Sequence, residues 1–439
     1  MEKNPMEGEK PQREGHTMGK LPYDAYIFDL DGTMTQSEPG IVKSVQYALD
    51  KLGVEGYDRQ SLRFVVGPPL MYSFHQVIGL SQQDAYRAID LYRERYSAKG
   101  WLENSVYTGI PAMLRSLKAQ GAYLAVATAK PEHFARKVLD HFGLSKYFDG
   151  LAAPRDEDES RFKERLVRRV LPQGARGCMV GDRNLDVQAG QACGLDTVGA
   201  LYGYGSREEL EKAGATYIAR DVEHLSRILL GDQPLSPGKF ITLEGCDGCG
   251  KSTQHHLLAQ CLEEMGHQVV VTREPGGCPI SERIRDIVLD AREEGMSDLC
   301  EALLFAAART QHVHQVIRPA LAAGKAVLCD RFVDSSLVYQ GVGRGLGPVV
   351  EKINQAAVDG CMPDLTILLD IDPHAAMARR TAASSPDRIE KAPLEFVDRV
   401  YRAYRELAAA QPQRYRIVDA GGDPRQVFAR IREIVAAEV

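Results

Sequence analysis

A chain of 439 residues, 44% of them hydrophobic, has room for two or three domains with buried cores. Its formal charge of -6 provides no broad basic field, which excludes nucleic acid or an anionic membrane as the main partner. No apolar run approaches the length of a bilayer span, and the nine cysteines follow no disulfide-framework spacing, so the expectation is a cytoplasmic protein with reduced thiols.

Residues 1–22 are polar, lack a signal-peptide core and are expected to be a disordered tail. From 23 to 230 apolar strand-like runs alternate with helical stretches, the pattern of an α/β domain with a parallel sheet. Strands are predicted at Ala25–Phe28, Tyr123–Thr128, Tyr147–Ala152, Gly177–Gly181 and Asp196–Ala200. Between the first two, about 38–107, the spacing of Val45, Leu49 and Leu52 and of Ile89, Tyr92 and Tyr96 predicts a helical cap.

The first strand closes on Asp29 and Asp31, two carboxylates at i and i+2 and therefore on one side of an extended chain. Such a pair can divide a phosphoryl transfer, one attacking phosphorus and the other handling the leaving-group proton, provided a cation offsets their repulsion. Asp182 and Asp186 follow a second buried strand, as ligands of a hard cation such as Mg²⁺ require.

These motifs resemble the haloacid dehalogenase superfamily over about residues 24–225. The resemblance implies Asp29 as a phosphorylated nucleophile, Asp31 as acid/base, and a Mg²⁺ site drawn from Asp29, Asp31, Asp182 and Asp186. Thr128 stands where that family binds phosphate through a hydroxyl, followed by Ala129, Lys130 and Pro131 as in its phosphoglycolate-phosphatase-like branch. Lys163 is placed as the charge-neutralising lysine and Lys130 as its alternative. An acidic run, Asp156 to Glu159, departs from the loop usual before that lysine. The substrate is left as an unidentified phosphomonoester.

Residues 231–238, with two prolines and two glycines, read as a linker. The segment 239–439 is a second α/β alternation, with strands predicted at Phe240–Leu243, Gln268–Thr272, Ala326–Cys329, Leu365–Asp370 and Tyr415–Val418. Gly245, Cys246, Asp247, Gly248, Cys249, Gly250, Lys251, Ser252 and Thr253 form a P-loop between a strand and a helix, so backbone N–H groups would surround a phosphate of ATP. Lys251 would reach the β and γ phosphates and Ser252 would ligate Mg²⁺. Cys246 and Cys249 make a C-x-x-C, but no second pair completes a zinc set, and replacement of small loop residues is the favoured reading. His255, His256, His312 and His314 read as helix-surface residues.

Downstream, Thr272–Gly277, then Phe305 and Arg309, then Asp330–Gly341 together resemble thymidylate kinase over 239–439. Phe305 and Arg309, four apart on one helix face, would stack on and pair with the base. Arg331 would grip the acceptor phosphate with a bidentate fork. The resemblance places Tyr339 against the deoxyribose, Ser335 and Gln340 in the nucleoside pocket, Asp247 near the 3′-hydroxyl and Arg285 as a second phosphate contact. Arg388 falls in the lid of that family, whose arginine stabilises the transferring group; this lid is poor in arginine, and Arg379 and Arg380 just before it are alternatives.

The sequence thus predicts two doubly wound parallel-sheet α/β domains: a dehalogenase-like phosphatase with a helical cap, and a P-loop nucleoside monophosphate kinase converting dTMP and ATP to dTDP and ADP. Mg²⁺ is expected in both halves and a homodimer through the kinase. Two alternatives stay open: a non-catalytic first half, and a kinase for another nucleoside monophosphate.

Overall fold

The computed structural model of the chain describes residues 20–67, 70–154, 162–290, 292, 295–381 and 393–439. The acidic run at 156–159, the first nineteen residues and the lid with Arg388 lie outside them.

The first half holds six parallel strands, β1 (Ala25–Phe28), β2 (Tyr123–Ala127), β3 (Gly150–Ala152), β4 (Gly177–Gly181), β5 (Asp196–Ala200) and β6 (Tyr217–Ala219), in the order β3-β2-β1-β4-β5-β6. β1 runs between β2 and β4 and is buried along its whole length, which is why it is written in unbroken apolar residues. The chain leaves β1 toward β2 on one side and returns to β4 on the other. The crevice where the order reverses lies at the carboxyl ends of β1 and β4, after which Asp29 and Asp182 follow.

Two strand expectations need correction. Residues Ser145–Tyr147 form a 3₁₀ turn, leaving β3 three residues long, and β6 was not anticipated at all. Both are edge strands of three residues bonded to a single neighbour, too short to show a period.

The cap is built on helices Glu38–Leu52 and Gln82–Ala98. They close over their own apolar cluster, in which Val45 and Leu49 meet Ala88, Ile89, Tyr92 and Tyr96. Each fully buried aliphatic side chain of this kind contributes about 1.5–3 kcal/mol. The two chain connections of the cap run side by side, with Gln36 N–H donating to the Ser105 carbonyl at 2.7 Å and Thr35 bridging to Val106.

The second half is a parallel sheet of β7 (Phe240–Glu244), β8 (Val269–Arg273), β9 (Ala326–Asp330), β10 (Leu365–Asp370) and β11 (Tyr415–Asp419), in the order β11-β10-β7-β9-β8. Its central strand β7 delivers the glycine-rich loop into helix Lys251–Glu264.

The halves are docked against each other. Val106 N–H donates to the Glu264 carbonyl and Gly109 N–H to the Gly266 carbonyl, both at 2.8 Å, so the end of the helix after the P-loop is bonded to the segment that returns from the cap. A Cβ on Gly266 would lie 2.7 Å from Val106 Cγ1, and one on Gly143 would lie 2.4 Å from the Ala436 carbonyl oxygen. Both contacts are too close for any side chain. Arg432 Nη1 lies 2.9 Å from His141 Nδ1, and Ser236 N–H donates to Ser116 Oγ at 2.8 Å. One apolar cluster runs through the contact, taking in Ile110, Phe142 and Leu144 from the first half and Leu258, Leu262 and Val435 from the second. No helix among the described residues is long and apolar enough to cross a membrane.

Candidate active sites

At the carboxyl ends of β1 and β4, Asp29, Asp182 and Asp186 each bring one carboxylate oxygen within 4.8 Å of the others, all three residues being buried. Helix Asn184–Ala192 starts beside them, and the Arg183 N–H donates to Asp186 Oδ2 at 3.0 Å. Asp182 accepts the Tyr204 N–H at 2.8 Å and the Thr33 hydroxyl at 3.3 Å. Lys163, on the first turn of helix Lys163–Val170, places Nζ 3.0 Å from Asp29 Oδ1 and closer still to Asp186.

Burial raises the Asp29 carboxyl to about 6, against the pull of Lys163 and with the push of Asp186. Burial likewise drives Asp182 well above its ordinary value, with Asp186 and Asp29 adding to it. One ammonium does not balance three crowded carboxylates. The buried Oδ1 atoms of Asp29, Asp31 and Asp186 have no hydrogen-bond partner among the described residues, although the Lys163 ammonium approaches the first and last as an ion pair. An oxygen-rich, over-charged pocket of this kind fits Mg²⁺.

Asp31 differs from the expectation that it joins the metal set. Its Oδ2 accepts from Lys130 Nζ at 2.7 Å, and it is absent from the cluster of three. Burial opposes charge on Lys130, yet the Asp31 carboxylate overcomes this and holds the ammonium above its ordinary value. The two candidate lysines therefore have separate partners, Lys163 the metal-type cluster and Lys130 the candidate acid/base. Thr128, buried at the end of β2, accepts the Lys130 N–H at 3.2 Å and lines the same cavity of about 1420 Å³ as Asp29 and Lys163.

In the second half Gly245, Gly248 and Gly250 all adopt positive φ, and helix Lys251–Glu264 begins at the loop's end with Lys251, Ser252 and Thr253 in its first turn. Lys251 Nζ donates to the Gly245 and Cys246 carbonyls, both at 3.0 Å. Cys246 and Cys249 are free and buried, and burial pushes the Cys246 thiol up to about 12. A thiol so reluctant to ionise suits packing better than redox chemistry.

Across from the loop, Arg331 itself adopts a positive φ and sends Nη2 to Asp247 at 2.5 Å, while the Tyr339 hydroxyl donates to Asp247 at 3.2 Å. Burial works against the Asp247 charge, but Arg331 and Lys251 hold its carboxyl well below the usual range. Arg331 Nη1 also donates to Ser335 Oγ at 3.0 Å. Beneath them lies Glu244, which falls between the predicted strand and the P-loop and has no expected role. It accepts the Phe332 N–H and the Ser335 hydroxyl at 2.7 Å and the Tyr404 hydroxyl at 2.8 Å. A carboxylate ending an otherwise apolar strand was the available signal for it.

Two expected nucleoside contacts look inward. Arg309 is 1% exposed and gives four of its five N–H groups to Glu274, Ser336, Asn354 and the Phe332 carbonyl, leaving one at most for a base. Gln340 donates to Glu301 at 2.8 Å. Phe305 is buried on the same helix as Arg309, and Arg285 donates to the Pro275 carbonyl at 2.7 Å. His312 is likewise no surface residue. It is buried between Thr272 and Glu274, at 2.7 and 2.9 Å. Arg379 donates to the Ala420 carbonyl at 3.2 Å.

A phosphate loop on the central strand of a parallel sheet, facing an arginine at the end of the neighbouring strand, defines a P-loop nucleotide-binding domain. An aspartate cluster at the switch point of a capped parallel sheet defines the hydrolase type of the first half. The thymidylate kinase family model matches residues 243–431, and the haloacid dehalogenase-like hydrolase model matches 26–200. A thymidylate kinase of Symbiobacterium thermophilum is 52% identical over 198 residues, covering 45% of this chain and 92% of that relative. Among solved structures, a predicted phosphatase from Clostridium acetobutylicum is 41% identical with a TM-score of 0.43, covering 47% of this chain and 97% of its own. A thymidylate kinase from Ehrlichia chaffeensis is 34% identical with a TM-score of 0.38, covering 45% and 99%. The chain belongs to the thymidylate kinase family through its second half and carries a haloacid dehalogenase-like hydrolase domain in its first.

Proposed function

We propose that the second half transfers the γ-phosphoryl group of ATP to dTMP, giving dTDP and ADP, and that the first half hydrolyses a phosphomonoester through an aspartyl-phosphate. The observation that supports the kinase reading best is the ring of Asp247, Arg331 and Tyr339 directly beside the Lys251 ammonium. Arg331 would hold the acceptor phosphate so that its oxygen attacks the γ phosphorus as the bond to the β-bridging oxygen breaks. Lys251 would exchange its loop carbonyls for the charge growing at that bridge. Arg388 in the lid is proposed to add positive charge to the transferring group.

In the hydrolase half, a carboxylate oxygen of Asp29 would form the new bond to phosphorus while the ester bond breaks, and Asp31 would give the leaving oxygen its proton. Water then attacks phosphorus, Asp31 takes back a proton, and phosphate leaves with Asp29 restored. Lys130 holds Asp31 in place for this exchange, and Thr128 would bond the phosphate. Asp29, Asp182 and Asp186 would hold Mg²⁺, which would neutralise charge on the reacting phosphate when bound; Ser252 would be the corresponding ligand in the kinase.

The kinase reading is tested by ATP-dependent phosphorylation of dTMP, dUMP, dCMP and UMP by the full chain. dTMP should give the highest kcat/KM, and a win by another acceptor rejects the assignment. The hydrolase reading is tested with p-nitrophenyl phosphate, whose turnover should vanish in Asp29→Asn, because an amide oxygen cannot carry the aspartyl-phosphate.

A further inference from the structure

We propose that the hydrolase half takes nucleoside monophosphates, meaning a phosphate ester whose organic part is an uncharged sugar and a flat base, rather than small phosphorylated acids. This rests on the hydrolase reading above. The cavity over Asp29 is about 1420 Å³, beyond the roughly 300–1,000 Å³ usual for small-molecule sites, so the phosphate occupies one corner of it. A two-carbon phosphoacid would leave most of that volume to water.

Charge points the same way. A substrate with a carboxylate of its own needs a cation besides those that receive its phosphate, and the lining lysines and arginines already face protein carboxylates. Lys130 and Lys163 face Asp31 and Asp29 at 2.7 and 3.0 Å. The lining arginines Arg93, Arg136 and Arg183 face Asp90, Glu132 and Glu209 at 4.0, 2.7 and 2.9 Å. An uncharged base requires none of them.

Beyond the phosphate corner the cavity offers apolar and aromatic surface among its polar side chains. Tyr72 from the cap and Leu185 from the helix after β4 both line it while 53% and 56% exposed, large side chains open to a ligand instead of packed into a core. Tyr92, Tyr96 and Phe134 form its aromatic back wall, with Tyr96 and Phe134 edge to face at 5.0 Å. A base laid against Tyr72 or Leu185 gains stacking or apolar burial that a phosphoacid cannot. The kinase half of the same chain draws on the same class of compound, so both sites would work on one pool.

The test compares kcat/KM of the full chain, with Mg²⁺ and without ATP, for p-nitrophenyl phosphate, phosphoglycolate, glycerol phosphate, dUMP, dCMP and UMP. The proposal expects at least one nucleotide to exceed both non-nucleotide metabolites by about tenfold or more. It also expects the Tyr72→Ala, Leu185→Ala double variant to raise KM for that nucleotide at least fivefold. Phosphoglycolate or glycerol phosphate winning overturns the substrate class while the hydrolase reading stands, because p-nitrophenyl phosphate is still turned over. Loss of every hydrolysis overturns both, and an unchanged KM in the double variant overturns the placement of the base.

Discussion

Tyr339 is expected to act through both its ring and its hydroxyl, and two substitutions separate the parts. Its ring is expected to fill the space of a 2′-hydroxyl, while its oxygen bonds Asp247 and lies 3.2 Å from Arg331 Nη2. Tyr339→Phe keeps the ring and loses the bonds. It should raise KM for dTMP about 10- to 100-fold, the worth of a hydrogen bond to charged groups, with the preference for deoxyribose retained. Tyr339→Ala should also narrow that preference by about 1–3 kcal/mol. Steady-state kinetics with dTMP and ribo-UMP for both variants decide the point, and an Ala variant that rejects UMP as strongly as the parent assigns the gating elsewhere. Lys251→Met should lower phosphorylation by about 10²–10³-fold and leave p-nitrophenyl phosphate hydrolysis intact, since no described contact joins the two sites. Parallel loss would show that they are not independent. At this scale the sequence was most legible where chemistry demands fixed spacing, as with Asp29, Asp182 and the P-loop. It was least legible for long side chains such as Arg309 and His312, because helical periodicity says which face a residue is on but not whether a buried carboxylate waits there.

That carboxylate is Glu274, just past the end of β8, and it ties three elements together. Arg309 and His312 reach it from helix Asp298–His312, and Asn354 of helix Pro348–Val358 bonds the same guanidinium. Removing one partner of a buried ion pair strands the other, at a cost of about 3–5 kcal/mol. Arg309→Met should therefore lower the denaturation midpoint of the full chain strongly, measured by urea unfolding. A variant of parental stability and poor dTMP affinity would return Arg309 to the base-binding role. Strands were easier to foresee than this network. In a parallel sheet the inner strands are buried on both faces and appear as unbroken apolar runs, which is why β1, β4 and β10 were visible with their bounds, whereas the three-residue edges β3 and β6 offered no run to read.

For the molecule as a whole, the shared apolar cluster predicts that the two halves unfold together. Differential scanning calorimetry should give one transition, and saturating dTMP should raise it for hydrolase and kinase alike. Two separate transitions would refute the coupling. The contact also brings a pH dependence. Burial and Arg432 lower the His141 imidazole to about 4, and burial with Arg115 and Lys146 lowers His267 to about 3. Both lie below the ordinary 6.5, so the unfolded chain binds more protons in the window between, and stability present above about pH 6.5 is lost as pH falls through it. At pH 5.5 each histidine that stays neutral forfeits about 1.4 kcal/mol. His267→Gln should flatten the fall in melting temperature between pH 7 and 5.5, and an equally steep fall in the variant would remove His267 as its source.

The notches at Gly143 and Gly266 make this a matter of portability. Each glycine is cut to the backbone of the opposite half, so neither half is an interchangeable module that can be lifted out and replaced by a homologous one. A kinase transplanted from another organism would have to bring a glycine at the place of Gly266 and an arginine at that of Arg432, or the graft would meet Val106 with a side chain where only backbone fits. Divergence in either half is constrained by a partner written in the same open reading frame, and the two must drift in step.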